Sequence, residues 1–448
     1  MDLNVSRARE SLAVDIIRRL RGSGHQAYLV GGCVRDRLLG IVPKDFDVST
    51  DAPPEQLARY FPQTQLVGAH FGVVMVRHEA GVQVEVATFR REGAYSDGRR
   101  PDEVQFVADP ALDAQRRDFT INGLMEDPLT GNILDFVNGR PDLDAKVVRA
   151  IGDPKLRFGE DHLRMLRAVR FAARLDFSID AATMSAIRQE ARFICRISAE
   201  RIRDEIVRIL TEGNARRGFE LLDAAGLLEF VLPQVKAFQG VAQPPEYHPE
   251  GDVWTHVLIM LANLQHPSPT LALGVLLHDV GKPPTFRVAE RIRFDGHAEV
   301  GAGMAKQILS ALKFSNEDTD RVTSLVANHM RFKDVRQMRL STLKRFLCLE
   351  HFDEHLELHR LDCLASNGYT DSYEYVKQKL AEMDSEELRP VRLIGGHDLI
   401  QAGFKPGPTF GKALEAVATA QLEGEIHTRE QALAIARSVL EQTPGTYL

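Results

Sequence analysis

Cysteine is scarce in this chain. Four occur in 448 residues, at Cys33, Cys195, Cys348 and Cys363, with no C-x-x-C pair and no zinc spacing. That scatter excludes a disulfide scaffold and fits a reduced, cytoplasmic protein. Excess positive charge is also missing. The formal net charge is -7, so nothing global announces a nucleic-acid partner and any basic path must be local. No apolar run approaches the roughly 20 residues that a membrane span needs. The N-terminal MDLNVSRARESLAVDIIRRL has no apolar core flanked by a cleavage site and reads as an amphipathic helix. Internal repeats and low-complexity tracts are absent. What is left is ordinary globular composition, 44% hydrophobic and 27% charged. At roughly 100–200 residues per domain, the chain is long enough for more than one core.

Residues 28–48, YLVGGCVRDRLLGIVPKDFDV, carry the strongest local signal. They read as a strand (Tyr28 to Val30), a turn at Gly31-Gly32, a short helix (Val34 to Leu39) and a second strand bearing Asp45 and Asp47. Glycines between strand and helix let the backbone approach a phosphate, and the helix start offers free N–H groups. Period-2 alternation puts both carboxylates on one face, with Phe46 and Val48 turned to the core. Two co-directed carboxylates beside a phosphate cradle suit magnesium-dependent phosphoryl or nucleotidyl transfer. A helix is expected over Pro54 to Tyr60. The runs Gly72 to Arg77 and Val82 to Ala87 read as a hairpin. Val82, Val84 and Val86 share one face of it, so Glu85 points the other way and could add a third carboxylate.

Farther on, Arg116-Arg117-Asp118-Phe119-Thr120-Ile121-Asn122-Gly123 combines arginines suited to phosphate with an asparagine that can bond a ribose hydroxyl. From about residue 140 the pattern is helical with no clear strands. In LRFGEDHLRMLRAVRFAARL, Leu163, Leu166, Val169 and Phe171 mark a buried face, while Arg164, Arg167, Arg170 and Arg174 recur every three or four residues. Asp161 and Arg164 stand three apart. They form either a simple helix ion pair or an acceptor–donor template for the Watson–Crick edge of cytosine or adenine.

Taken together these strings resemble the bacterial class II tRNA nucleotidyltransferases, the CCA-adding enzymes and related poly(A) polymerases. The resemblance implies an α+β chain. Its parts would be a polymerase-β-like head with a mixed, mostly antiparallel sheet (1–138), a helical neck (139–210) and body (211–245), and a helical tail (373–448). It implies Mg2+ at Asp45 and Asp47, with Glu85 as the family's further acidic position. It implies nucleotide contacts from Gly31, Gly32, Arg35, Arg117, Asn122, Arg167 and Arg170. Glu160, Asp161 and Arg164 match the E-D-x-x-R motif that replaces a nucleic-acid template. CTP, ATP and the tRNA 3′ end are the expected partners, with no membrane. The polar loop at 90–101 is similar to the loop that switches the family from C to A. Gly123 stands where alanine is usual, a departure expected only to loosen helix packing. Ile197-Ser198-Ala199-Glu200-Arg201 matches an I-S-x-E-R motif, expected to stabilise the neck, with Ser198 as N-cap. Addition of the terminal A alone, or of poly(A), remains open on these motifs.

A proline-rich break at Val241 to Pro249 reads as a domain boundary. Beyond it His256, His278-Asp279, His297, His329 and Asp362 arrive in order. Imidazole with carboxylate and no thiolate suits Mn, Ni, Fe or Mg better than structural zinc. His278-Asp279 with Gly281-Lys282 resembles the HD signature of metal-dependent phosphohydrolases, over 246–372. By that resemblance His256, His278, Asp279 and Asp362 hold a first metal and His297 and His329 a second. A phosphohydrolase with an N-terminal RNA-binding module is the alternative from another class. Intact Asp45 and Asp47 count against it.

Overall fold

The computed structural model describes residues 3–66, 72–77, 81–93 and 103–441. Most of the loop expected at 90–101 lies outside them. The chain divides into two compact units, Met1–Lys236 with Ala311–Phe314, and Ala237–Ser310 with Ser315–Leu448. No described helix is long and apolar enough to cross a membrane.

The first unit is built on a sheet. Its strands are β1 (Ala27–Val30), β2 (Asp47–Thr50), β3 (Thr64–Leu66), β4 (Val73–Arg77) and β5 (Gln83–Thr88). A separate antiparallel ribbon, β6 (Arg90–Glu92) with β7 (Val104–Phe106), flanks the undescribed loop. β8 (Met125–Asp127) and β9 (Asn132–Leu134) complete the sheet, in the order β3-β4-β5-β2-β1-β8-β9. Every pairing is antiparallel except β2 with β5. The mixed, mostly antiparallel sheet is therefore as expected. Val84 and Val86 are buried and Glu85 is exposed, as the alternation required.

The N-terminal helix α1 (Leu3–Gly22) buries Ala13, Ile16, Ile17 and Leu20, and helix α2 (Gly32–Leu38) follows β1. Gly31 sits between β1 and α2 at φ 74, a left-handed conformation that favours glycine. A Cβ there would also come within 3.1 Å of Arg117 Nη1. The expected helix Pro54–Tyr60 is present.

Beyond residue 140 the chain is helical, apart from two-residue pairings such as Val147–Val148 with Ser178–Ile179. The single helix expected across LRFGEDHLRMLRAVRFAARL is two, Pro154–Glu160 and Leu163–Leu175. Asp161 breaks it in an extended conformation, and its Oδ1 accepts the Leu163 N–H, starting the second helix. Leu163, Leu166, Val169 and Phe171 are buried as expected. Ser198 occupies the N-cap position of helix Ala199–Thr211, but its hydroxyl makes no capping bond. Gly123 follows a 3-10 turn (Thr120–Asn122), not a helix interior. A Cβ there would meet Val137 Cγ2 at 2.5 Å, so glycine makes room for a neighbour and does not loosen a helix.

In the second unit the helix Pro269–Leu277 is buried over its whole length after Pro269. A helix apolar on every side belongs in a core, and this one carries His278 and Asp279 inward at its C-terminal end. The tail folds a small core of its own around Leu399, Phe404, Ala413 and Leu440. Thr428 and Gln431 form the expected reciprocal cap.

Candidate active sites

A cavity of about 500 Å3 in the first unit gathers most of the residues singled out above. Gly31, Gly32 and Arg35 line it, with Asp45, Asp47, Arg117, Asn122, Asp161, Arg164, Arg167 and Arg170. β2 begins at Asp47, so Asp45 lies just ahead of the strand and not on it. Phe46 and Val48 point to the core on either side, which leaves both carboxylates facing the cavity. Asp45 is 75% exposed and 2.7 Å from Arg9 of α1. Asp47 is in register with Glu85 on the parallel strand β5. Burial first, then the Glu85 and Asp45 charges, push the Asp47 carboxyl up to about 6, against a lowering pull from Arg117. Glu85 itself is exposed and lies outside the cavity wall. A buried carboxylate raised by neighbouring negative charge fits a divalent cation, which would relieve that repulsion.

The wall opposite is an ordered polar chain. Arg174 donates to Asp36, and Arg35 donates to Asp36 and to Asn122 Oδ1. Asn122 Nδ2 donates to Asp118, and Arg167 donates twice to the other Asp118 oxygen. Arg170 pairs with Glu205 at 2.6 Å. The arginine stripe thus does converge on one cavity, but each guanidinium is already held by a carboxylate. Arg35, expected to seat the triphosphate, lines the cavity buried and with all three nitrogens already bonded. The Asn122 amide is likewise engaged at both ends.

Asp118 makes this chain measurable. Burial raises its pKa, but Arg167 and Asn122 outweigh burial and hold it down to about 2. A depressed carboxylate contributes stability above its unfolded pKa and loses it as pH falls through the folded value, about 2 kcal/mol here. The thermal advantage of the wild type over Asp118→Asn should therefore be full at pH 7. It should shrink between pH 4 and pH 2 in circular-dichroism melts.

Asp161 and Arg164 do not pair with each other. Asp161 takes a two-point contact from Arg201, at 3.2 and 2.6 Å. Arg164 binds Glu160 and the carbonyls of Arg157 and Arg116. The break at Asp161 turns its carboxylate toward helix Ala199–Thr211. Arg201, read from the sequence as a neck stabiliser, also lines the cavity.

Among the described residues of the second unit three groups could hold a metal, one of His248, Glu250 and His256 and two that adjoin each other. His256, His278 and Asp362 make one; Asp279, His297 and His329 make the other, the ligand atoms of each within 4.8 Å of one another. His256 Nε2 lies 3.1 Å from Asp362, so the distant Asp362 does join the set. Asp279 is 3.1 Å from His278 through Oδ2 and 3.7 and 3.8 Å from His297 and His329 through Oδ1. It therefore adjoins both clusters. His278, His297 and His329 each turn Nδ1 to a backbone carbonyl, which leaves Nε2 to face the centre. His256 Nε2 and His278 Nε2 are buried without a hydrogen-bond partner, an orphaned state that a metal ion would satisfy. Burial lowers His256, but the Asp362 and Glu250 carboxylates push it up to about 9; burial drives His329 down to about 3. A cavity of about 540 Å3 opens over the clusters, lined in part by Lys282, Arg293 and Lys333. Glu250, His248 and Lys282, which border this site, had no assigned role in the sequence reading.

Residues 27–149 match the poly A polymerase head domain, 176–239 the probable RNA and SrmB-binding site of polymerase A, and 298–436 the tRNA nucleotidyltransferase domain 2. The chain is 31% identical to the CCA-adding enzyme of Lactobacillus johnsonii over 429 residues, 94% of this chain and 95% of that one. It belongs to the bacterial class II CCA-adding enzymes. The CCA-adding enzyme of Streptococcus mutans is 30% identical over 422 residues. Among solved structures of the family, the Bacillus stearothermophilus CCA-adding enzyme in complex with CTP aligns at 27% identity and a TM-score of 0.72 over 96% of each chain. The Thermotoga maritima CCA-adding enzyme complexed with tRNA shares the fold at 20% identity, with a TM-score of 0.60 over 99% of this chain and 96% of that one. The polymerase-β-like head and helical body are thus the family's.

Proposed function

We propose that this protein adds CCA to the tRNA 3′ end from CTP and ATP, and that its second unit hydrolyses phosphate esters. The observation that carries the first part is one cavity lined by Asp45 and Asp47 together with Asp161 and Arg164. Asp45 and Asp47 would hold Mg2+, with Glu85 beside Asp47 adding charge. When bound, the metal would lower the pKa of the attacking 3′-hydroxyl and steady charge on the α-phosphate. Gly31 and Gly32 leave the backbone open to the triphosphate. Arg117, Arg167 and Arg170 give the cavity its positive potential, and Arg35 with Asn122 holds the nucleotide-facing wall in place. Asp161 offers an acceptor and Arg164 a donor to the base edge. In the second unit His256, His278, Asp279 and Asp362, with His297 and His329, would hold Mg2+ or a transition metal that activates water.

The test supplies labelled CTP and ATP to transcripts ending before the CCA, after C and after CC. Completion of all three to a single CCA end is expected. Extension of only the CC-ended transcript would mean A addition, and long A tails would mean a poly(A) polymerase.

A further inference from the structure

Segment 241–252, which includes the proline-rich stretch Val241 to Pro249 that reads as a boundary in the sequence, is pinned to the histidine site at both ends. Backbone bonds fold it on itself: Gln243 N–H donates to Gly251 O, and Val253 N–H to Val241 O. From one arm the buried Gln243 accepts a 2.6 Å bond from Lys282 Nζ, which also lies 2.7 Å from Asp279. From the other arm Glu250 enters the interior, its side chain 6% exposed. Its Oε1 lies 2.7 Å from His256 Nδ1 and 2.8 Å from His248 Nδ1. The two imidazole rings stand nearly perpendicular around that oxygen, at 89°.

An acceptor fixed at Nδ1 dictates what the opposite ring nitrogen can do. His256 Nδ1 must carry the proton donated to Glu250, so Nε2 is the atom left to bind a cation, and it is the atom that faces Asp362. The other three histidines of the site set the same orientation with backbone carbonyls. His256 alone among them uses a carboxylate, which adds negative charge behind the ligand and raises its donor strength. We propose that Glu250 is a positioning residue of the metal site, holding His256 with Nε2 presented to the metal. The segment around it is then part of the hydrolytic site. His248, on the same oxygen and lining the cavity, is oriented by the same contact.

This inference rests on reading the site as a metal-dependent hydrolase, and the experiment separates the two. Full-length wild type, Glu250→Gln and Glu250→Asp are stripped with chelator and titrated with Ni2+ by calorimetry, with the metal-free melting temperature of each recorded. Binding to wild type, weakened roughly 10–100-fold in Glu250→Gln and partly restored in Glu250→Asp at similar melting temperature, is the expected result. Wild-type binding that Glu250→Gln leaves undiminished would overturn the role of Glu250 alone. Absence of Ni2+ binding by wild type would overturn the hydrolase reading, and with it this one.

Discussion

Replacing Asp47 by alanine should abolish addition of both C and A, by about three orders of magnitude or more, and leave unchanged the phosphate-ester hydrolysis proposed for the second unit. A bound divalent ion supplies several kcal/mol of transition-state stabilisation, and each 1.36 kcal/mol is tenfold in rate. Asp47 is the carboxylate whose charge burial and the neighbouring Glu85 and Asp45 disfavour. It is fixed at the first residue of β2, in register with Glu85 and facing the same cavity as Asp45. Asp45→Ala should behave alike, with one difference. Asp45 is mostly exposed and tied to Arg9, so its loss should leave stability nearly untouched. Single-turnover incorporation of labelled CTP and ATP reads the first effect, and release of phosphate from a model ester reads the control. Loss of hydrolysis as well would mean that the two sites are not independent.

The second large effect concerns the choice of base. Converting Asp161 and Arg164 to alanine together should collapse the preference for CTP and ATP over UTP and GTP by roughly 100-fold. A site built to pair hydrogen-bonding groups rejects a mismatched partner by leaving buried polar atoms unpaired. The contacts found here add a finer expectation. Asp161 is held from two points by Arg201 and Arg164 by Glu160, so the proposed template would be a preset pair of groups whose aim depends on neighbours. Arg201→Met should therefore erode base choice even though Arg201 has no place in the template itself. Competition among the four nucleoside triphosphates on one transcript measures both. Unaltered preference in the double variant would rule the template out.

Much of this was legible in the chain because it lies within single elements. Alternation in FDV put Phe46 and Val48 inward and Asp47 toward the cavity, although Asp45 proved to lie ahead of the strand, and the three-to-four spacing of arginines put them along one helix. The double glycine marked a backbone turn that few other residues adopt. What the sequence hid are pairings between elements. Spacing cannot tell that Asp161 will leave its helix and meet Arg201, forty positions away. It cannot tell that Arg35, near the glycine turn, is committed to Asp36 and Asn122. Glu250 was missed for a related reason. Prolines and a glycine around it signal irregular backbone correctly, but irregular backbone can still be folded tightly against a site. The histidines stood out because they arrive in an ordered set with carboxylates, and the structure brings them together. Asp362 came with only a short string to support it, and its helix carries it to 3.1 Å from His256.

The central claim is that Asp45 and Asp47 chelate a divalent ion at the bound nucleotide. Crystals grown with CTP and Mn2+, with anomalous data at the manganese edge, test it directly. The account predicts a manganese peak between these two carboxylates in the cavity that also holds the triphosphate. Bound CTP with no peak there, or with either carboxylate turned out of the cavity, would contradict it.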